Sequence, residues 1–139
     1  MKRLPFIIVM ALMTLCASVH INAQDLEDLP KMKEIKGKKL LEEMTPLQHK
    51  NGLWGYANAE KKFTIRPVFT SACPYEGNVA RIEFEGKWGT ISNIGLYIVT
   101  PMYESIAAYS SDSLAIAGWK GKFGLINAKG ERIQKMEYD

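Results

Sequence analysis

Histidine and cysteine are nearly absent from this chain of 139 residues, which has two of each. His20 and Cys16 lie in the N-terminal stretch, so His49 and Cys73 stand alone in the rest. A single histidine is too few for a histidine-based metal cluster and leaves a catalytic dyad short of partners. A single cysteine forms no internal disulfide; it is either buried as a small apolar residue, the expectation here, or paired between chains. Neither sign of charge dominates: 18 basic residues face 15 acidic ones. Residues 1–23 contribute Lys2 and Arg3 and no acidic residue, so the remainder balances at +1. That balance gives no electrostatic case for nucleic acid or for an anionic membrane. No Walker-type loop and no dinucleotide fingerprint occurs, because the glycines do not sit between a strand and a helix. These absences predict a non-catalytic protein with no cofactor, no metal and no nucleic-acid partner.

The N-terminus is organised differently from the rest. Lys2 and Arg3 precede an apolar run from Leu4 to Leu15, broken only by Pro5 and Thr14. The chain then becomes smaller and more polar towards Asn22-Ala23. This is the layout of a secretory signal peptide with cleavage after Ala23. The run falls short of the roughly 20 residues a membrane-spanning helix needs, so no retained span is expected. Cys16 offers a lipidation alternative, but Leu15 replaces the small residue that such processing wants before the cysteine. The Asn22-Ala23-Gln24 ending resembles exported proteins of Bacteroidota.

What the rest of the chain has is internal repetition. Trp54-Gly55, Trp88-Gly89 and Phe123-Gly124 recur at spacings of 34 and 35 residues. Their neighbours fall into columns. Asn51-Gly52, Glu85-Gly86 and Lys120-Gly121 precede them, and Pro67-Val68-Phe69, Pro101-Met102-Tyr103 and Met136-Glu137-Tyr138 follow. Between copies, Val79–Phe84 matches Leu114–Trp119. The segments Tyr75–Ala80 and Glu85–Ile91, with Pro101-Met102-Tyr103 downstream, resemble the WG repeat family. The resemblance covers about residues 45 to 139 and implies a repeat architecture while saying almost nothing about function. Three positions depart from the pattern: Phe123 replaces Trp, Met136 replaces Pro, and Lys61 stands where the other copies have Gly95 and Gly130.

The third copy shows the expected unit. Leu114 to Trp119 is apolar and strand-compatible, and Lys120-Gly121 suits a two-residue hairpin turn. Lys122 to Asn127 alternates, with Phe123 and Leu125 on one face and Gly124 and Ile126 on the other. Asn127-Ala128-Lys129-Gly130 suits a type I turn with a G1 bulge, and Glu131 to Tyr138 forms a third strand. The fold class is therefore all-β: three tandem antiparallel three-stranded β-meanders over 45–139. Residues 1–23 are the signal peptide. Residues 24–44 form a linker with room for a short helix around Ile35, Leu41 and Met44, interrupted by Gly37.

Individual residues divide between packing and chemistry. The strand glycines Gly55, Gly89 and Gly124 are expected to lie under an aromatic ring of a neighbouring strand or repeat. Trp54 and Trp88 are expected to be the packing anchors of their units. Cys73 shares its column with Ala107 and is expected in a small buried position. His49 is an ordinary strand residue before the Asn51-Gly52 turn. Glu83 and Glu85 are expected on one strand face, but copy three has Gly118 and Lys120 there, so the pair is not part of the unit. Ligand-binding residues are unknown.

Together these features predict an exported binding scaffold of the periplasm, cell surface or medium. The alternative is an exported carbohydrate-binding module with Tyr75, Tyr109 or Trp119 as stacking platforms; a hydrolase needs residues the chain lacks. The last strand stops at Asp139 without a cap, and its open edge is expected to pair with a protein partner or a second copy.

Overall fold

The computed structural model describes residues 28–38 and 42–138. The expected signal peptide, the cleavage point after Ala23 and Cys16 lie outside the described residues. The chain divides into two units, Met1–Pro30 and Lys31–Asp139, and everything below concerns the second.

The described residues of that unit are all-β, with eleven strands in three antiparallel sheets. The first sheet holds β1 (Thr45–Gln48), β2 (Trp54–Ala57) and β3 (Phe63–Phe69). The second holds β4 (Ser71–Ala72), β5 (Val79–Phe84), β6 (Lys87–Ser92) and β7 (Tyr97–Tyr103). The third holds β8 (Ser105–Ile106), β9 (Leu114–Trp119), β10 (Lys122–Asn127) and β11 (Arg132–Tyr138). Each sheet contains one repeat as a meander. The short β4 and β8 continue the third strand of the preceding repeat after a bend at Thr70 or Glu104, and pair with the next repeat's first strand. Consecutive sheets are thereby joined by one strand that belongs to both.

The turns follow from their residues. Glu85-Gly86 (φ 51° and 86°) and Lys120-Gly121 (φ 52° and 77°) are two-residue turns with both central residues left-handed. In copy one the loop is longer. His49 N–H bonds the Leu53 carbonyl at 2.8 Å, enclosing Lys50, Asn51 and Gly52. Asn51 Oδ1 accepts from Leu53 N–H at 2.9 Å and holds the loop closed. Gln48 therefore takes the place opposite Trp54 that Glu83 and Gly118 take opposite Trp88 and Phe123. The second turn is the same in all three copies. Asn58, Ser92 and Asn127 carbonyls accept from Lys61, Gly95 and Gly130 N–H at 2.9, 3.0 and 2.9 Å. The last residue of each turn is left-handed, including Lys61 at φ 62°.

Each third strand is bulged where it passes the WG dipeptide. Trp54 faces Phe69 and Tyr56 faces Ile65, so β3 advances further than β2 over the same stretch. The pairs Trp88–Tyr103 with Thr90–Val99, and Phe123–Tyr138 with Leu125–Gln134, repeat the irregularity. Pro67 and Pro101 sit in this stretch, where a ladder N–H is not required. The bulge explains the strand glycines, and differently from the expectation. The nearest obstacle at Gly89 is main chain: a β-carbon there would strike the Val99 carbonyl and come within 2.7 Å of Pro101 N. Gly124 meets the Gln134 carbonyl at 2.6 Å in the same way. The ring-on-glycine contact occurs instead at Gly118, opposite Phe123, whose ring lies 3.1 Å from a β-carbon built there.

The sheets stack through two cores. The first gathers Tyr56, Ile65 and Phe69 of sheet one against Ala80, Ile82 and Ile91 of sheet two. The second gathers Val99 and Tyr103 of sheet two against Ile106, Ala115, Ala117 and Ile126 of sheet three. In each core a face of aromatic and branched residues thus meets one of alanine and isoleucine. The anchors differ from expectation too. Trp54 and Trp88 are half-buried at the margins of these cores, whereas Tyr56, Phe69 and Tyr103 are fully buried. Cys73 is half-buried and Ala107 exposed, so their column is not a core position; both lie on the crossover, where chain direction changes.

The linker is not helical where it is described. Lys31 to Lys36 has no regular structure and ends in a short 3₁₀ turn at Gly37 and Lys38; residues 39–41 lie outside the description. Ile35 enters the first core, and its N–H bonds the Ile94 carbonyl at 2.8 Å. Arg66 Nη2 holds the Lys31 carbonyl at 3.0 Å. Lys31–Ile35 thus ties β3 to the turn of sheet two.

Candidate interaction surface

The sequence-derived candidates for chemistry are dispersed. Glu85 is not on a strand face with Glu83: β5 ends at Phe84, and Glu85 occupies the left-handed turn. Glu83 Oε1 accepts from Thr70 Oγ1 at 3.2 Å, which ties it to the bend between sheets. His49 lies in the first loop, just past the end of β1. Its ring packs edge-on against Phe63 at 5.9 Å, and its Nδ1 accepts from Asn51 N–H at 3.3 Å. No nucleophile accompanies it. Among the described residues no group of three or more His, Cys, Asp or Glu side chains converges to hold a metal ion.

The aromatic candidates are used inside the fold. Tyr75 is half-buried, packs edge-on against Tyr56 at 5.1 Å, and donates its hydroxyl to the Ser92 carbonyl at 2.8 Å. Burial holds its phenol well above the ordinary tyrosine range. Tyr109 occupies the equivalent place one repeat later, and its hydroxyl is buried without a hydrogen-bond partner among the described residues. Burial, with the Glu76 carboxylate nearby, pushes its pKa up to about 12. Trp119 has Lys120 Nζ 4.5 Å and the Arg132 guanidinium 5.4 Å from its ring centre.

Two polar arrangements at the junction of sheets two and three were not legible in the sequence. Arg81 Nε pairs with Glu76 Oε1 at 3.0 Å, and Arg81 Nη1 reaches the Ile106 carbonyl at 3.0 Å. Glu76 Oε2 in turn accepts from Tyr109 N–H at 2.8 Å. This partly buried chain staples copy two to the crossover that begins copy three. The other is Arg132, whose Nε donates to Tyr103 Oη at 3.2 Å while its guanidinium lies over the Tyr103 ring. Both fasten the stack, and neither leaves an open polar pocket. Near the linker, Met32–Lys36 and Thr64 line a groove of about 590 Å³. Its charged groups, Lys33, Glu34 and Lys36, are exposed, and Lys36 pairs with Glu34 at 3.7 Å in water.

The remaining feature is apolar. Exposed large hydrophobic side chains occur among the described residues at Ile116 (52%), Phe123 (42%) and Ile133 (55%), all in copy three. Ile116 stands directly opposite Leu125, and Leu125 shares a strand face with Phe123. Together they make one patch on sheet three. In copies one and two the corresponding face carries Trp54 and Tyr56, or Trp88 and Thr90, and is covered by the following sheet.

No curated protein and no solved structure gives a match to this chain. Residues 54–88 match the family model of the WG containing repeat, a segment that runs from one WG tryptophan to the next and so spans one full period of the observed stack. Residues 54–88 are thus a WG containing repeat, and among the described residues the same meander is built three times over.

Proposed function

We propose that this protein is an exported, non-catalytic scaffold of the cell envelope that binds other proteins through its repeat array. The observation that carries the reading is the exposed Ile116–Phe123–Leu125 patch on a face whose counterparts are buried in the other two copies. An apolar patch on an otherwise mixed-charge surface is the usual mark of an interaction site. Export rests on Lys2, Arg3 and the apolar run to Leu15. The non-catalytic reading rests on the dispersal of His49, Glu83 and Glu85, which share no cleft. A carbohydrate module needs open aromatic faces, and Tyr75, Tyr109 and Trp119 are half-buried.

The test is affinity capture from the organism's own envelope extract, with the tagged wild type beside an Ile116→Lys/Phe123→Lys double variant of equal melting temperature. The scaffold reading expects proteins retained by the wild type and lost from the variant. Equal retention by both would reject the patch as the binding site. Binding on a glycan array that survives in the double variant and disappears on Trp119→Ala would replace the scaffold with the carbohydrate reading.

A further inference from the structure

Ile35 belongs to the first core but to no strand. It is 5% exposed and clusters with Tyr56, Ile65 and Ile91, while Lys33, Glu34 and Lys36 beside it stand in water. The segment Lys31–Lys36 is therefore a strap that sends one branched aliphatic side chain into the junction of sheets one and two. The other junction shows what sets this one apart. Around Gly130, in the turn of sheet three, the atoms nearest a built β-carbon belong to Val99 and Ile98, on the third strand of the sheet before. The counterpart of Gly130 is Gly95, and those of Val99 and Ile98 are Ile65 and Thr64. Thr64 is polar and shorter than Ile98. At Gly95 the nearest atoms are Ile35 Cδ1 and Cγ1 at 3.2 Å and the Lys33 carbonyl at 3.3 Å. One junction is filled by its own repeats, the other by an added segment.

The strap is held as an extended peptide is held. Ile35 N–H donates to the Ile94 carbonyl at 2.8 Å, and Arg66 Nη2 donates to the Lys31 carbonyl at 3.0 Å. Both contacts are made to the strap's main chain and ignore side-chain identity, so selectivity falls to the hole that receives Ile35. The strap also underfills its place. Beside the groove of about 590 Å³ along Met32–Lys36, a second of about 410 Å³ is lined by Lys31–Lys33 and by Phe63–Arg66 of β3.

We infer that the junction of sheets one and two is a binding site for an extended segment of another protein, one of whose aliphatic residues takes the place of Ile35, and that Lys31–Lys36 is its built-in competitor. The strap defines the chemistry of that ligand. It offers a main-chain carbonyl to Arg66, a main-chain N–H to the Ile94 carbonyl four residues on, and a branched aliphatic side chain on that second residue. A tethered competitor acts at an effective concentration on the order of millimolar, so a free segment succeeds by filling the grooves that the strap leaves open. The site is separate from the Ile116–Phe123–Leu125 patch, and neither depends on the other.

The probe is the synthetic peptide of residues 31–36, acetylated and amidated, added to the full chain carrying Ile35→Ser. That substitution empties the hole without cutting the strap. The variant is expected to melt roughly 10 °C below the wild type, and saturating peptide is expected to recover most of the loss. In calorimetric titration the peptide is expected to bind the variant at least about tenfold more tightly than the wild type, whose own strap competes. A peptide bearing the same Ile35→Ser change is expected to do neither. Ile35→Ala takes the place of Ile35→Ser if the latter does not fold. A variant whose melting temperature ignores the peptide overturns the inference and leaves Ile35 a packing residue only. Equal binding to variant and wild type also overturns it, by placing the peptide elsewhere on the surface. A wild type that doubles in mass with concentration, where Ile35→Ser does not, would overturn the foreign segment in favour of the strap of a second copy.

Discussion

Gly89 lies beneath the Val99 carbonyl, so that even one added carbon would overlap the backbone of the neighbouring strand. The three nearest obstructing atoms, of Val99, Thr100 and Pro101, are all main chain, and no rotamer change moves them. Gly89→Ala is therefore expected to destabilise by about 3 kcal/mol or to prevent folding, at the upper end of overpacking costs. A urea melt of the variant checks this. An unchanged midpoint would mean that the bulge in β7 slides freely, contrary to the register seen in all three copies.

Lys61 holds φ 62°, where its counterparts Gly95 and Gly130 hold 81° and 80°. A side chain in the left-handed region costs roughly 1–2 kcal/mol, partly offset by the lower chain entropy of a non-glycine residue. Lys61→Gly should thus stabilise by about 0.5–1 kcal/mol, raising the thermal midpoint by a few degrees. Lowered stability would show that Lys61 contributes an interaction that outweighs the strain.

Thr90 is fully buried in the centre of sheet two, and its hydroxyl has no hydrogen-bond partner among the described residues. An unsatisfied buried hydroxyl carries a desolvation penalty that an isosteric methyl removes. Thr90→Val should raise stability by about 1 kcal/mol. A loss of stability in the same melt would reveal a partner for this oxygen, such as a bound water.

Trp88 is the residue that defines the repeat, yet Tyr103, directly opposite it, is the one sealed inside the core. Full burial makes Tyr103→Ala the more damaging change, at about 3–5 kcal/mol, with Trp88→Ala about half of that. Paired melts of the two variants test the order. The reverse order would place the stability of the unit in the half-buried indole.

Burial raises the phenol of Tyr109 to about 12 and also pushes up those of Tyr56, Tyr75 and Tyr97. In the unfolded chain these groups titrate near 10. Above that pH the unfolded state holds fewer protons than the native state, so stability is full below about pH 10 and falls as pH rises through the folded values. Alkaline unfolding is expected in that window, with tyrosinate absorbance and loss of the β-sheet circular dichroism rising together. Tyrosinate forming near pH 10 in an intact sheet structure would show these rings to be accessible to hydroxide.

Sequence alone determined the repeated unit: three meanders, their strand positions and most of their turns. Alternation in Lys122–Asn127 and the pairs Lys120-Gly121 and Asn127–Gly130 are local instructions, acting through backbone sterics and period-two geometry within a few residues. Even there, Asn51-Gly52 closed a loop of three residues instead of two, because His49 and Leu53, outside the motif, close that turn. What only the tertiary structure decided is how faces meet. Spacing marks Gly89 as a tight place but does not say that a bulged carbonyl presses on it. The columns make Trp88 conspicuous but do not seal Tyr103 behind it. The Arg81–Glu76–Tyr109 staple joins residues from different repeats, and nothing in either neighbourhood announces the other. The exposed face of sheet three became visible only once the direction of stacking was known, since each strand is written with two faces and packing chooses which one is covered.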